Sequence, residues 1–169
     1  PDGRLAACFH RGEVYTYEPK TKTWTLFADG LHEPLGIVAE DNHTLVVMQR
    51  PELTRLRDTD RDGSADHYET LSDRFGMTGN YHEFAFGPTR DKAGNYYIGL
   101  NLASSGASIR PEILGEFRHY GITREQFYKN HRAGSGRMYS ATPFRGWILK
   151  IAPDGKTTPF SPGFRSPNG

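Results

Sequence analysis

A glycine-led link that follows a polar β-hairpin occurs three times along this chain. The copies occupy residues 30–36, 76–82 and 163–169, and each runs from a glycine through a few residues to a Pro or a His. The hairpins before the links also correspond to one another, over residues 13–27, 53–71 and 147–160. A repeat of this length predicts stacked supersecondary units rather than one singular fold. It also fixes which residues share a face, and the prediction of a functional site depends on that.

Short segments rich in β-branched and aromatic residues, bounded by Gly, Pro, Asp or Asn, are typical of β-strands. The predicted strands are residues 4–9, 13–18, 23–28, 36–40, 44–49, 53–58, 67–71, 83–87, 95–100, 147–152 and 157–161. Grouped in fours, they give one unit at about 36–71 and a second at about 83–161, after the last three strands of an earlier unit. Four-stranded antiparallel units repeated every 40–50 residues or so are typical of a β-propeller.

The sequence therefore predicts an all-β chain in which residues 1–169 form part of a β-propeller. Its expected divisions are the end of one blade at 1–29, a second blade at 30–75, a third at 76–162 and the start of the next at 163–169. Since this is under three blades, we expect a piece of a longer protein. A partly helical insertion is predicted at 102–145, with short helices near Arg110 and from Thr123, where a capping-box pattern occurs.

The charge balance excludes several classes of function. The 169 residues contain 21 Lys plus Arg and 20 Asp plus Glu, a net charge of +1. Neither a nucleic-acid partner nor an anionic membrane surface is indicated by that balance. No apolar run approaches the roughly 20 residues that a membrane-spanning helix needs. The single Cys8 excludes an internal disulfide and a cysteine-based metal site.

An acidic loop in the second predicted blade has the spacing of a cation site. Asp58, Asp60 and Asp62 stand at alternate positions, Gly63 follows the third of them, and Asp66 follows three residues after Gly63. Such spacing lets a tight loop turn several oxygens toward one hard cation such as Ca²⁺. A structural calcium site and a solvated acidic hairpin both remain open. The order of strands places this loop on the face away from the expected functional site.

The links between blades and the loops between second and third strands share one face of a propeller. His82 lies where a link enters an innermost strand, and an imidazole suits a general base at neutral pH, although a lone His is often a packing residue. The next link contains Arg165, with Asn168 three residues further on. The guanidinium of Arg165 can bind a carboxylate or phosphate through two hydrogen bonds, or it can form a structural contact with a neighbouring blade. The further candidate cofactor-binding residues on this face are Gln49, Arg50 and Asn101.

These motifs together resemble the glucose/sorbosone dehydrogenase-like propellers. The residues that carry the resemblance are 34–36 with 46–53, then 58–63, 80–88, and 145–147 with 165–169. The branch most similar to the chain is that of the large heme-binding, membrane-bound dehydrogenase-like proteins of planctomycete and verrucomicrobial type. In that branch the propeller is followed by helical repeats and a c-type cytochrome module.

The resemblance implies a six-bladed propeller that is exported to the periplasm or cell exterior and oxidises sugars with pyrroloquinoline quinone. His82 occupies the place of the base that removes the substrate's hydroxyl proton. Residues 165–169 resemble the link that binds the quinone, with Ser166 where the relatives have Asn. The heme motif CxxCH does not occur in residues 1–169, so heme is not assigned to this chain.

We therefore expect a sugar or alcohol dehydrogenase that passes hydride to a quinone and electrons to a cytochrome, the cofactor supplying the redox chemistry. One alternative is a non-catalytic propeller that binds carbohydrate or a partner protein through the same face. Another is a non-redox enzyme acting on sugars, such as a lyase or hydrolase, in which His82 works with Glu83. The fold alone does not choose among these functions.

Overall fold

The computed structural model describes residues 2–104, 113–117, 125–126 and 138–167. It is all-β, as the sequence predicts. The strands are β1 (Leu5–Cys8), β2 (Val14–Glu18), β3 (Thr23–Ala28), β4 (Ile37–Ala39), β5 (Thr44–Met48), β6 (Leu53–Arg57), β7 (His67–Ser72), β8 (Met77–Thr78), β9 (Ala85–Arg90), β10 (Tyr96–Leu100), β11 (Ala103–Ser104), β12 (Ile113–Leu114), β13 (Met138–Tyr139), β14 (Trp147–Ile151) and β15 (Thr157–Pro162).

Three principal antiparallel sheets follow one another along the chain. The first sheet contains β1, β2 and β3, and the second contains β4, β5, β6 and β7 in chain order. The third sheet has the order β9, β10, β14, β15. The predicted grouping, three strands followed by two sets of four, is confirmed by this topology. Within the described ranges, none of these three sheets closes on itself.

Strand β5 is buried along its whole length because it lies between two cores. Leu45 and Val47 belong to a cluster shared with the first sheet, whereas Val46 and Met48 belong to one shared with the third. Successive side chains of a strand point to opposite faces, so this alternation places the second sheet between the other two. The partners from the first sheet and its following link are Val14, Phe27, Ala28 and Leu31. Those from the third sheet are Ala85, Tyr96, Ile98, Leu100, Leu149 and Ile151.

The predicted insertion leaves and re-enters the third sheet between two neighbouring strands. Strands β10 and β14 pair directly, for example Ile98 with Leu149, although residues 102–145 separate them. Within the insertion β11 pairs with β13, and β12 pairs with β8 of the preceding link. The predicted helix near Arg110 and the capping residue Thr123 lie outside the described residues. In the part of the chain that the structure describes, no helix is long and apolar enough to cross a membrane.

Gly36, at the end of the first link, brings the main chains of the second and third sheets into contact. A Cβ atom on Gly36 would overlap the carbonyl oxygen of Gly87 in β9. The Gly36 carbonyl accepts a hydrogen bond from the amide of Met48 at 3.0 Å, so the link cannot move away without breaking its pairing with β5. Only glycine fits at this close approach.

A polar network also joins the second sheet to the third. Arg55 in β6 donates to both carboxylate oxygens of Glu40, at 2.8 and 3.0 Å, and to Glu69 at 3.1 Å. The hydroxyl of Tyr96 in β10 donates to the same Glu40 carboxylate. Burial disfavours ionisation of Glu40, but the hydrogen bonds from Arg55 and Tyr96 outweigh it and lower the pKa of Glu40. The ionised carboxylate therefore stabilises the contact between the two sheets.

We predict that Glu40→Gln destabilises the chain by about 2 kcal/mol at neutral pH, because Arg55 keeps Glu69 but loses the carboxylate that accepts two of its hydrogen bonds. The pKa of Glu40 is lower in the folded chain than in the unfolded chain, where a Glu carboxyl has its ordinary pKa of 4.5. Its contribution is thus present above that value and is lost as the pH falls through the folded pKa. Urea unfolding at neutral and acid pH checks both effects, with exposed Asp73→Asn as the control. Equal stability of E40Q and wild type at pH 7 would contradict this role of Glu40.

Candidate functional site

Three of the residues that the sequence singled out lie around one cavity of about 290 Å³. His82 comes from the link before β9, Asn101 follows β10, and Arg165 follows β15. The remaining lining residues are Phe84, Phe86, Leu102, Ser104, Met138 and Ser166. The predicted cofactor-binding residue Asn168 lies outside the described residues.

The position of His82 is set by the buried residue Asn80. The amide N–H of His82 donates to Asn80 Oδ1 at 3.1 Å. Asn80 is fully buried, and its Nδ2 donates to the Ser104 carbonyl at 2.8 Å and to the Tyr139 hydroxyl at 3.2 Å. The link that carries His82 is therefore tied to β11 and β13 of the insertion. The Tyr81 ring, 4.0 Å from the imidazole between centroids, covers part of His82.

Asn101 provides the cavity with a hydrogen-bond acceptor, and Arg165 provides it with a positive charge. Asn101 is 6% exposed, and its Oδ1 has no hydrogen-bond partner within the described ranges. Its main chain is fixed by a 2.9 Å hydrogen bond from the Asn101 amide to the Phe84 carbonyl. The Arg165 carbonyl accepts from the Leu102 amide at 3.1 Å, whereas the Arg165 side chain is exposed. A buried acceptor and an open guanidinium suit a ligand that has both hydroxyl and anionic groups.

The structure does not bring Arg50 and Gln49 to the cavity. The Arg50 guanidinium is buried and donates to the carbonyls of Thr78 and Asn80, at 3.2 and 2.8 Å, and to Glu33 at 3.0 Å. Gln49 Oε1 accepts a hydrogen bond from the amide of His32 in the first link at 2.5 Å, and its Nε2 donates to the Thr54 hydroxyl at 2.6 Å. Both side chains are used to hold the links in place, so we assign neither to ligand binding.

Arg145 has a supporting role that the sequence analysis did not assign. Its Nε donates to the Gly76 carbonyl at 2.7 Å, and its Nη1 donates to the carbonyls of Glu83 and Phe84, each at 3.2 Å. Burial, opposed by the charge of Glu83 and assisted by that of Arg50, lowers the pKa of Arg145 to about 10. Arg145 therefore stays charged at neutral pH and fixes both ends of the segment 76–84.

Glu83, the partner of His82 in one alternative function, is fully buried and is not part of the cavity lining. Its Oε2 accepts a hydrogen bond from the amide of Thr78. Its amide donates to the Asn80 carbonyl at 3.1 Å and closes a turn. Glu83 therefore stabilises the link, and only His82 of the two residues lines the cavity.

The acidic loop lies at the other end of β6 from Arg50. Side-chain oxygens of Asp58, Asp60 and Asp62 come within 4.8 Å of one another, as the spacing predicts. Asp66, the fourth residue of the predicted set, is not part of this group. Its carboxylate accepts hydrogen bonds from the Thr59 hydroxyl and the Thr59 amide, and these bonds lower the pKa of Asp66.

We predict that Arg145→Lys destabilises the chain by about 2–3 kcal/mol, the range for charged hydrogen bonds. A lysine lacks the planar fork that serves the carbonyls of Gly76, Glu83 and Phe84 together. The free energy of unfolding in urea is the measurement. Arg74→Lys, at a side chain that is 80% exposed, is the matched control and should change it by less than about 0.5 kcal/mol. Equal effects of the two substitutions would show that the buried guanidinium is not a support.

Comparison with known proteins gives a family for this arrangement. No curated protein matches the chain. A family model matches residues 19–140, which is well over half of the chain. That range includes the second sheet, the acidic loop, His82 and Asn101, and Arg165 lies beyond it. The chain belongs to the family described as a domain of unknown function, DUF7133.

Proposed function

We propose that the cavity is the substrate site of an extracytoplasmic dehydrogenase that oxidises a hydroxyl group of a sugar or alcohol. The observation that carries the proposal is the convergence of His82, Asn101 and Arg165, from three separate segments, on one cavity. A base, a buried acceptor and a cation are the groups needed to deprotonate, orient and anchor a hydroxylated ligand.

The scaffold in this proposal is a six-bladed β-propeller in the whole protein. Its support is the stacking of three antiparallel sheets in chain order, with β5 buried between the two cores. The contact between Gly36 and Gly87 and the Glu40–Arg55–Tyr96 network both join consecutive sheets, as neighbouring blades require. The links between blades then carry His82 and Arg165 in successive positions.

Within the cavity, the proposed chemistry begins with proton transfer. The His82 imidazole accepts the proton of the reacting hydroxyl, and Asn101 Oδ1 accepts a hydrogen bond from a neighbouring hydroxyl. Phe84 and Phe86, with ring centroids 6.1 Å apart, offer an apolar surface to the carbon face of a sugar ring. General-base catalysis of this kind typically contributes about 10²- to 10⁴-fold to a rate.

The residues at the cavity fit pyrroloquinoline quinone in their chemistry. That cofactor is planar and carries carboxylates, so the exposed Arg165 guanidinium can pair with it. The buried Asn101 Oδ1, without a protein donor among the described residues, suits an N–H or O–H group of the ligand. When bound, the quinone supplies the hydride acceptor, and a c-type cytochrome module of the same protein is the proposed electron acceptor.

A second candidate function is carbohydrate binding without turnover. It is favoured by one observation, that His82 Nδ1 is enclosed and has no hydrogen-bond partner in the described part of the chain. A catalytic His is commonly oriented and kept in one tautomer by a partner at this nitrogen. In this alternative the same three residues bind a sugar, and His82 donates or accepts a hydrogen bond only.

We predict that His82→Ala lowers the kcat of sugar oxidation by about 10²- to 10⁴-fold, because the proton acceptor is removed. The measurement is dye reduction by the whole protein with quinone and calcium, over a panel of sugars. Sugar binding, measured by calorimetry, should stay within about tenfold of wild type since Asn101 and Arg165 remain. The matched control is the exposed His67→Ala, which should keep full activity.

Two results would count against the dehydrogenase. Undiminished kcat in H82A would remove His82 as the base. Sugar binding by the wild-type protein without turnover, under every cofactor condition, would establish the binding function instead.

A further inference from the structure

The acidic loop of the second sheet has no part in the chemistry proposed for the cavity, yet it concentrates negative charge. Asp58 follows β6, and Asp60 and Asp62 follow at alternate positions, with their oxygens within 4.8 Å of one another. Asp60 and Asp62 are exposed, and neither forms an ion pair with any residue that the structure describes. Like charges at this separation repel one another.

Asp58 provides a second observation, independent of this crowding. Its side chain is 3% exposed, and its Oδ2 accepts hydrogen bonds from the Gly63 amide at 3.2 Å and from His43 Nδ1 at 3.3 Å. Its Oδ1 is enclosed and has no hydrogen-bond partner among residues 2–104 or the other described ranges. An unsatisfied buried carboxylate oxygen is costly, and a cation held by the three carboxylates would satisfy it.

We propose that residues 58–63 bind one Ca²⁺ ion, and that the ion stabilises the contact between the first and second sheets. The three side chains of the group all offer carboxylate oxygen, the donor that Ca²⁺ prefers. Loop carbonyls and water complete the six to eight oxygen ligands that Ca²⁺ typically takes. The exposed Asp60 and Asp62 leave the ion a path from solvent.

The acidic loop continues into a segment that bonds to β3 of the first sheet. After Gly63, the Ala65 amide donates to the Phe27 carbonyl of β3 at 2.6 Å, and the Ser64 hydroxyl donates to the Leu26 carbonyl at 3.3 Å. Ala65 also packs against the core cluster that the first two sheets share. An ion that holds residues 58–63 in place therefore also holds the segment that crosses to β3.

Calorimetry of the metal-free chain with CaCl₂ tests the site. We expect saturable one-to-one binding with a Kd of about 1 mM or tighter, as in extracellular calcium modules. At about ten times the Kd, Ca²⁺ should raise Tm by about 3–6 °C. Mg²⁺ should bind more weakly because it demands a smaller octahedral site and keeps its waters.

The variant D60N/D62N keeps buried Asp58 and should fold, but it should lose the heat of binding and the Tm shift. D66N is the matched control and should keep both, since the Asp66 carboxylate bonds to Thr59 instead. Circular dichroism without metal verifies that both variants are folded. The site is overturned if wild type shows no saturable binding at about 5 mM Ca²⁺, above the range for such modules, or if D60N/D62N binds as wild type does.

Hydrogen exchange tests the stabilised contact separately. Ca²⁺ should slow exchange of the Ala65 amide at least about tenfold in wild type and leave it unchanged in D60N/D62N. Ion binding with no change at Ala65 would overturn the stabilising role. Neither result depends on the cavity or on any enzymatic activity.

Discussion

Two buried guanidinium groups determine the path of the segment that carries His82. Residues 76–84 contain only the two-residue strand β8, so the long ladders of the principal sheets do not define this segment. Arg50 reaches it from the second sheet and Arg145 from the insertion, and together they donate to main-chain carbonyls at Gly76, Thr78, Asn80, Glu83 and Phe84. These bonds satisfy most of the donors of the two buried cations and so reduce the cost of their burial, although Arg50 Nε and Arg145 Nη2 have no partner among the described residues. The cavity exists because these bonds keep the segment folded against β11 and β13.

The long strands could be predicted because local pattern and tertiary environment agree for them. β3 has the predicted bounds, 23–28, since its residues favour an extended chain and turn residues bound it on both sides. β9 was predicted at 83–87 but spans Ala85–Arg90. The later start arises because Glu83 closes a turn with Asn80 before the strand begins. The strands β8, β11, β12 and β13 are two residues long and carry no periodicity from which they could be predicted.

The candidate site could likewise be predicted from the sequence only in part. That His82, Asn101 and Arg165 meet could be predicted, because the order of strands fixes which loops share a face. Where a side chain points within its loop could not be predicted. Arg50 lies in a loop of the expected kind, but its guanidinium turns inward to carbonyls 28 and 30 residues further along the chain. Such partners are main-chain atoms, and no pattern of side-chain types reveals them.

The close approach of Gly36 to Gly87 also bears on the rigidity of the cavity wall. Phe86 lines the cavity, and the next carbonyl along β9 rests against the main chain of Gly36. Gly36 is in turn held by its hydrogen bond to Met48 in the fully buried strand β5. The wall formed by Phe86 consequently has no room to retreat when a ligand presses on it. On this side the cavity is therefore bounded by main chain that cannot shift, rather than by side chains alone that could repack.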